Sequence, residues 1–392
     1  MQPIAIHADR VLTPFQDFSD AVVVIQGDKI LAAGPRGKTV LPRNVREMAM
    51  PGKTIVPGFV DVHIHGAGGR DVMEGNAESL EIIAETVARH GTTSFVATTV
   101  TASQLETCDS VRGIARFILN SGQFAARELS AEILGIHFEG PFISKARRGV
   151  HPQEWILQPS TEVLTEFLKE ARGTAQILTM APELPGALDL IDAARQAGLV
   201  VSLGHTDANY EQALAAIKAG ATHAAHVFNA MRPFSHRGTG VIGAVLTSPK
   251  VSTELIADKI HVDEPAMRML IDLKTPERVI LVSDGTSATG MPDGKYQLGK
   301  LQVKVSGGVC RNKEGKLAGS TLTLDRALRN IVALGVPLAS ALRMVTANPA
   351  RQIGLGARKG VIAAGADADL VFLDDKLEVT NVMTRGAGLA QP

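Results

Sequence analysis

The sequence predicts an α/β protein, a closed (β/α)8 TIM-like barrel carrying a small β-sandwich domain assembled from both chain ends. Three observations point there. Apolar strand-like runs alternate with amphipathic helical stretches through the middle of the chain, the pattern of parallel βα units. Both ends have a different texture, short β-rich runs broken by turn residues. Polar side chains able to bind a metal recur at the ends of the apolar runs, where a barrel of this kind gathers its chemistry.

In order, residues 1–56 read as short strands: Ile4-Ala5-Ile6, then 21–25, then 30–34 after the turn Gln26-Gly27-Asp28-Lys29. Such a segment is too small to build a core alone. The run 360–373 has the same texture, so residues 1–56 and 357–392 are expected to combine into the small β domain, with 57–356 as the barrel. Within that middle part the strand candidates are 60–65, 93–100, 133–139, 176–181, 200–205, 224–229, 252–257 and 279–284. Helical stretches at 80–90, 161–171, 188–198, 210–220 and 265–273 separate them, several ending at glycine as helices do. The glycine-rich stretch 285–299 reads as a loop after the eighth strand, and the apolar patches up to Gly319 as a hairpin.

Bulk properties narrow the function. The 392 residues suit one large α/β body plus an accessory piece. Forty basic residues balance forty acidic ones, so no broad attraction to nucleic acid or to an anionic membrane is implied. Cys108 and Cys310 are too few and too far apart for a disulfide scaffold and read as reduced thiols. Asp9, Arg10 and Pro14 interrupt the first fifteen residues, so no signal peptide or membrane span is expected and a cytoplasmic protein is the default.

The chemistry starts at Pro57-Gly58-Phe59-Val60-Asp61-Val62-His63-Ile64-His65-Gly66. Alternation at period two puts His63 and His65 on one face of a strand, where two imidazoles can share a metal or can simply be polar side chains at a strand end. Later strands add more candidates: Glu139 ends the third, His205 the fifth and Asp284 the eighth, and His226 lies in the sixth. Imidazoles with a carboxylate are the ligand set of catalytic zinc and related divalent ions. His223 and His226 are expected on opposite faces of one strand, with His226 the one at the barrel mouth because Asn229-Ala230-Met231 carries the chain from it into a loop. His137 reads as a packed, hydrogen-bonded core histidine, His90 as a helix-end residue, and His7 as inert in the β flank.

Taken together, the His63/His65 motif, Glu139-Gly140-Pro141-Phe142, Gly204-His205-Thr206, His226-x-x-Asn229-Ala230-Met231, Asp258-x-x-His261-Val262 and Ser283-Asp284 resemble the N-acetylglucosamine-6-phosphate deacetylases of the amidohydrolase superfamily. The resemblance runs over almost the whole chain, with the motifs in the family's order. It implies Glu139, His205 and His226 as principal metal ligands, His63 and His65 as holders of a second ion, and Asp284 as catalytic acid/base. One or two divalent ions are implied, zinc first, with iron, manganese, cobalt and nickel as alternatives. Substrate contacts would fall on His151, Asn229, Ala230, Arg237 and His261, and near Leu317-Ala318-Gly319. Arg237 would reach the sugar phosphate across the interface of a homodimer, with Arg232 as a competitor for that role.

Three other readings stay open. An N-acetylgalactosamine-6-phosphate deacetylase differs by the configuration of one hydroxyl, which the sequence does not resolve. A cyclic-amidase relative would carry a bridging lysine at the fourth strand, and residues 176–183 contain none. An inactive barrel serving as a binding protein would have no need of metal-capable residues at four or more separate strand ends.

Overall fold

The structure is a computed structural model describing residues 2–121 and 129–389. Met1, 122–128 and 390–392 lie outside the described residues, so the outermost positions of the expected β domain fall there. The chain opens with β1 (Ile4–Leu12), β2 (Asp17–Gln26), β3 (Lys29–Pro35) and β4 (Arg46–Pro57). Next come β5 (Phe59–Ile64), a two-strand turn of β6 (Gly66–Ala67) and β7 (Arg70–Asp71), β8 (Thr92–Thr99) and β9 (Glu132–Glu139). They are followed by β10 (Ala175–Met180), β11 (Val200–Leu203), β12 (His223–Ala224), β13 (Ser252–Leu255) and β14 (Val279–Leu281). Three outer strands, β15 (Gly294–Leu298), β16 (Leu301–Ser306) and β17 (Val309–Asn312), precede β18 (Leu370–Leu373) and β19 (Val379–Met383) at the end.

Among the described residues, eight parallel strands form one sheet in the order β5-β8-β9-β10-β11-β12-β13-β14. It closes on itself just past β14: Asp284 N donates to His63 O at 2.9 Å and His65 N to Gly285 O at 2.8 Å. All eight expected strands are present. Helices cover the outside, starting with α1 (Ala77–Ala88), α2 (Gln104–Ser121), α3 (Thr161–Ala171), α4 (Ala187–Gln196) and α5 (Tyr210–Ala219). Then come α6 (Gly240–Thr247), α7 (Glu264–Lys274), α8 (Leu324–Ala333), α9 (Leu338–Val345) and α10 (Ala347–Gln352). Their starts follow local chemistry. Asn76, Ser160, Asn209 and Asp263 each accept a backbone N–H of the first turn, and Pro265 occupies the start of α7. The apolar stripe of α3, Leu164, Phe167 and Ala171, faces the barrel, where Phe167 stacks on Phe138 of β9 at 5.5 Å.

Two expectations change. The sixth strand is His223–Ala224 alone, and the expected continuation to 229 is a series of turns with positive φ at His226, Phe228 and Ala230. The cause is tertiary: His226 N donates to the Glu254 carboxylate at 2.9 Å and Val227 N to Glu254 O at 3.0 Å, which draws the chain off the ladder. His223 and His226 therefore do not alternate across one strand. The loop expected over 285–299 holds β15, which pairs antiparallel with β16, and β16 with β17. This outer sheet has its own small core of Leu298, Val303, Val305, Cys310 and Ala318 against Val100 and Ala288 beside the barrel mouth.

Both chain ends meet in one six-stranded sheet, order β19-β18-β4-β1-β2-β3. Its β2 shows period-two logic with both faces buried: Ala21, Val23 and Ile25 join one apolar cluster with Ile6, Ile30, Ile55 and Phe372, while Val22 and Val24 pack with Ala5. The long β4 went unnamed in the sequence because Met50-Pro51-Gly52-Lys53 breaks any alternation. Cys108 and Cys310 are free thiols. No helix among the described residues is long and apolar enough to cross a membrane.

Between this sheet and the barrel lies a buried ion cluster. Lys359 Nζ sits 2.6 Å from Glu132, 2.8 Å from Asp367 and 2.7 Å from Asp369, tying the start of β9 to the loop before β18. Burial disfavours the Lys359 ammonium, but Asp369, Glu132 and Asp367 hold its pKa above the ordinary lysine range. Its contribution to stability is therefore complete below the unfolded lysine pKa and is lost as pH rises through the folded value. Lys359→Met leaves three carboxylates without their shared cation, so urea unfolding at neutral pH should show a loss of about 3–5 kcal/mol. An unchanged unfolding midpoint would show that the cluster does not brace the junction.

Candidate active site

The candidate residues arrive at one place because each stands at or just past the carboxyl end of a barrel strand. His63 is within β5 and Glu139 ends β9, while His65, His205, His226 and Asp284 follow β5, β11, β12 and β14 within three residues. His205, His226 and Asp284 have left-handed backbones, with φ of 48°, 26° and 48°. Non-glycine residues adopt that region at a cost, and the ring closure and neighbouring hydrogen bonds hold them there.

Glu139 is the centre. Its Oε1 lies 3.2 Å from His63 Nε2, 3.0 Å from His205 Nε2 and 2.9 Å from His226 Nε2. Its Oε2 lies 3.4 Å from His65 Nε2 and 3.3 Å from His151 Nε2, and Asp284 Oδ1 is 3.1 Å from His65 Nε2. All seven side chains are buried.

The opposite ring nitrogens decide what these contacts mean. His65 Nδ1 is 3.0 Å from Thr98 O and His205 Nδ1 is 3.1 Å from Arg147 O, and a carbonyl can only accept, so both donate from Nδ1. His63 Nδ1 is likewise committed, 2.8 Å from Glu254 Oε2. Three neutral imidazoles would thus aim Nε2 lone pairs at carboxylate oxygens, a repulsive arrangement unless positive charge lies between them. His151 is the opposite case: Thr101 N donates to its Nδ1 at 3.2 Å, which leaves Nε2–H to point at Glu139.

The same demand for positive charge appears in the protonation equilibria. Burial opposes protonation of His63, yet Glu254 and Glu139 hold its pKa well above the usual histidine value, and Glu139 itself is held well below the carboxylate range by His63 and His205 despite burial. Burial also pushes the Asp284 carboxyl up, but the His65 hydrogen bond and the neighbouring imidazoles hold it below the ordinary aspartate value, so it is ionised at neutral pH. Four overlapping groups, His63/His137/Glu254, His63/His65/Asp284, His63/Glu139/His226 and Glu139/His151/His205, each bring ligand atoms within 4.8 Å of one another. This imidazole and carboxylate donor set fits a divalent cation.

Below the cluster lies a buried polar floor that sequence reasoning missed. Glu254 of β13 meets His223 Nε2 at 2.8 Å through Oε1, and His63 Nδ1 at 2.8 Å and His226 N at 2.9 Å through Oε2. A glutamate inside the apolar run Val251-Ser252-Thr253-Glu254-Leu255-Ile256 was the available signal. His137 is a packed core histidine, 2.7 Å from Thr179 Oγ1 and 3.2 Å from Val62 O.

Above the cluster opens a cavity of ≈ 200 Å³. His151, Asn229, Ala230, His261, Leu317 and Gly319 line it, together with His65, Glu139, His205, His226 and Asp284. His261 Nδ1 is 2.7 Å from Asp258 Oδ2, which leaves its Nε2 for a ligand. Ala318 turns the other way, into the core of the outer sheet. Arg237 lies on an exposed loop and does not line this cavity, and Arg232 pairs with Asp207 at 2.9 Å. Lys300 is the one lysine or arginine among the described residues on the cavity wall; it pairs with Glu106 and lies 5.1 Å from the Trp155 ring centre.

Burial, with the charge of His63, drives the His137 pKa down to about 3. Its side-chain nitrogen resonances should therefore show no titration between about pH 5 and 8 in NMR. Because the unfolded chain binds this proton near ~6.5 and the folded one does not, His137 should reduce stability by about 1.4 kcal/mol per unit as pH falls below that value. A His137 titration near neutrality would contradict the packing described.

The amidohydrolase family model matches residues 54–388. The N-acetylglucosamine-6-phosphate deacetylase of Lysinibacillus sphaericus is 38% identical over 345 residues, 88% of this chain and 87% of that one. The N-acetylgalactosamine-6-phosphate deacetylase of Escherichia coli O157:H7 is 35% identical over 382 residues, 97% of this chain and 98% of that one. A solved structure of a mutant N-acetyl-D-glucosamine-6-phosphate deacetylase from Mycobacterium smegmatis, in complex with N-acetyl-D-glucosamine-6-phosphate, superposes with a TM-score of 0.92 at 36% identity over 100% of both chains. With the closed parallel barrel and the imidazole and carboxylate cluster at its mouth, this places the chain in the amidohydrolase family, in the branch of the N-acetylglucosamine-6-phosphate deacetylases.

Proposed function

We propose that this protein is a metal-dependent hydrolase that cleaves the acetamide of N-acetyl-D-glucosamine 6-phosphate, releasing acetate and D-glucosamine 6-phosphate in amino-sugar catabolism. The observation that carries the reading is geometric: Asp284 Oδ1 lies 3.1 Å from His65 Nε2, beside the Glu139-centred imidazole cluster, on the wall of the cavity that His151 and His261 also line. Relatives named for this reaction, matched over most of their length, support the substrate.

Glu139, His205 and His226 would hold one divalent ion, zinc by preference, and His63 with His65 a second. Such an ion supplies an acidified water and a polarised acetyl carbonyl. The chain's own residues do the rest. Asp284 takes the proton of the attacking water and passes it to the sugar nitrogen, since an amide leaves only as a protonated amine. His261, oriented by Asp258 through Nδ1, meets the acetyl oxygen or a sugar hydroxyl and stabilises the developing oxyanion, with His151 beside it on the cavity wall. Asn229, Ala230, Leu317 and Gly319 shape the sugar site. Arg237 holds the phosphate in the neighbouring subunit of a homodimer by a forked, charge-assisted contact. In this reading residues 57–356 are the catalytic domain, 1–56 with 357–392 the accessory β domain, and the enzyme is cytoplasmic.

The E. coli O157:H7 relative favours a second reading, with N-acetylgalactosamine 6-phosphate as substrate. Metal analysis and amine release against a panel of acetylated sugars separate the two. Glucosamine 6-phosphate formation is expected to dominate, and absence of amine release from every phosphorylated sugar would refute both. Asp284→Asn should keep metal content near wild type while turnover falls by about 100-fold or more, and near-normal turnover would remove its role. Glu139→Gln, His205→Gln and His226→Gln should each lower bound metal. Arg237→Ala should raise KM for the phosphorylated sugar by roughly 10–100-fold with little change in kcat. If Lys300→Met does so instead, the phosphate partner lies within the chain.

A further inference from the structure

We propose that Glu254 is a positioning residue of the metal centre, acting through His63 and His226 without touching substrate. The inference rests on the metal-dependent reading above and extends it to a residue no step of the reaction uses. Glu254 is fully buried on β13, and its two oxygens serve three donors: His223 Nε2 on Oε1, His63 Nδ1 and His226 N on Oε2.

The geometry has two consequences. A carboxylate on His63 Nδ1 holds the proton on that nitrogen, which leaves the Nε2 lone pair facing Glu139 and Asp284 as a ligand atom. His63 Nε2 has no hydrogen-bond partner of its own among the described residues. The same Oε2 fixes the amide of His226, where the chain leaves β12 with φ of 26° and swings its imidazole over Glu139.

His63 is singular in this respect. The Nδ1 partners of His65 and His205 are neutral backbone carbonyls, of Thr98 and Arg147. Only His63 among these three is backed by a formal negative charge, which makes its Nε2 the stronger electron donor. His223 occupies the second oxygen of Glu254 and thereby keeps the carboxylate from rotating.

A carboxylate that merely filled the barrel would contribute to stability and leave metal affinity alone, so the test measures both. Zn2+ affinity of the full chain is measured by competition with a chromophoric chelator, for the wild type, Glu254→Gln and His223→Gln, alongside thermal unfolding. Glu254→Gln should weaken Zn2+ binding by about 10–100-fold, while His223→Gln, which keeps the charge behind His63, should change it by less than about fivefold. Equal Zn2+ affinity of the wild type and Glu254→Gln overturns the role of Glu254 and leaves the metal-dependent reading standing. Absence of Zn2+ binding by the wild type overturns both. Should Glu254→Gln fail to fold, side-chain nitrogen NMR of the zinc-loaded wild type decides: a His63 proton on Nδ1 is expected, and a proton on Nε2 overturns the proposal.

Discussion

A buried carboxylate faced by imidazole lone pairs is the constraint on which this molecule turns. Glu139 cannot sit among His63, His65, His205 and His226 unless positive charge is supplied, because three of those rings have already committed Nδ1–H to Glu254, Thr98 O and Arg147 O. Repulsion between like-ended groups in a site removed from water is large, and a divalent cation relieves it for every member at once. His151, held in the opposite tautomer by Thr101, escapes the constraint and can donate. The division between rings that offer a lone pair and the ring that offers a proton is thus written in the backbone groups behind them.

Holding such a cluster together requires a rigid frame. The ring of eight strands supplies it, and ring closure and site geometry share the same atoms: Asp284 N donates to His63 O, and Ser320 N to Asp284 O at 2.7 Å. Left-handed φ at His205, His226 and Asp284 costs of order 1–3 kcal/mol each. These conformations persist because neighbouring segments bind the backbone around them, as Ser144 N does on His205 O and Glu254 on His226 N. The accessory sheet enters the same account through Lys359, whose three carboxylates fasten the start of β9 while Glu139 stands at its other end.

Much of this was legible in the chain. Strand positions were readable because β-branched and apolar runs of fixed length alternate with amphipathic stretches, whereas the caps Asn76, Ser160, Asn209 and Asp263 that start four of the helices were not singled out, and the first helix begins at Ala77, three residues before its expected start. The metal-capable residues were readable from where those runs end. Glu254 escaped notice because a glutamate inside a strand has no local signature; its meaning lies in His63 and His223, respectively 191 and 31 residues away. The sixth strand was overextended for the same reason, since Ala-His-Val-Phe-Asn has strand composition and only a carboxylate from β13 pulls it aside.

By itself, then, the order of residues determined the alternation of elements, the pairing of both ends into one accessory sheet, and the set of side chains that meet at the barrel mouth, all consequences of periodicity and of short-range hydrogen bonding. Tertiary structure alone decided which nitrogen of each histidine faces inward, how far β12 runs, and which cation lies on the cavity wall. Those properties depend on distances between groups that are remote along the chain, and such distances exist only once the ring has closed.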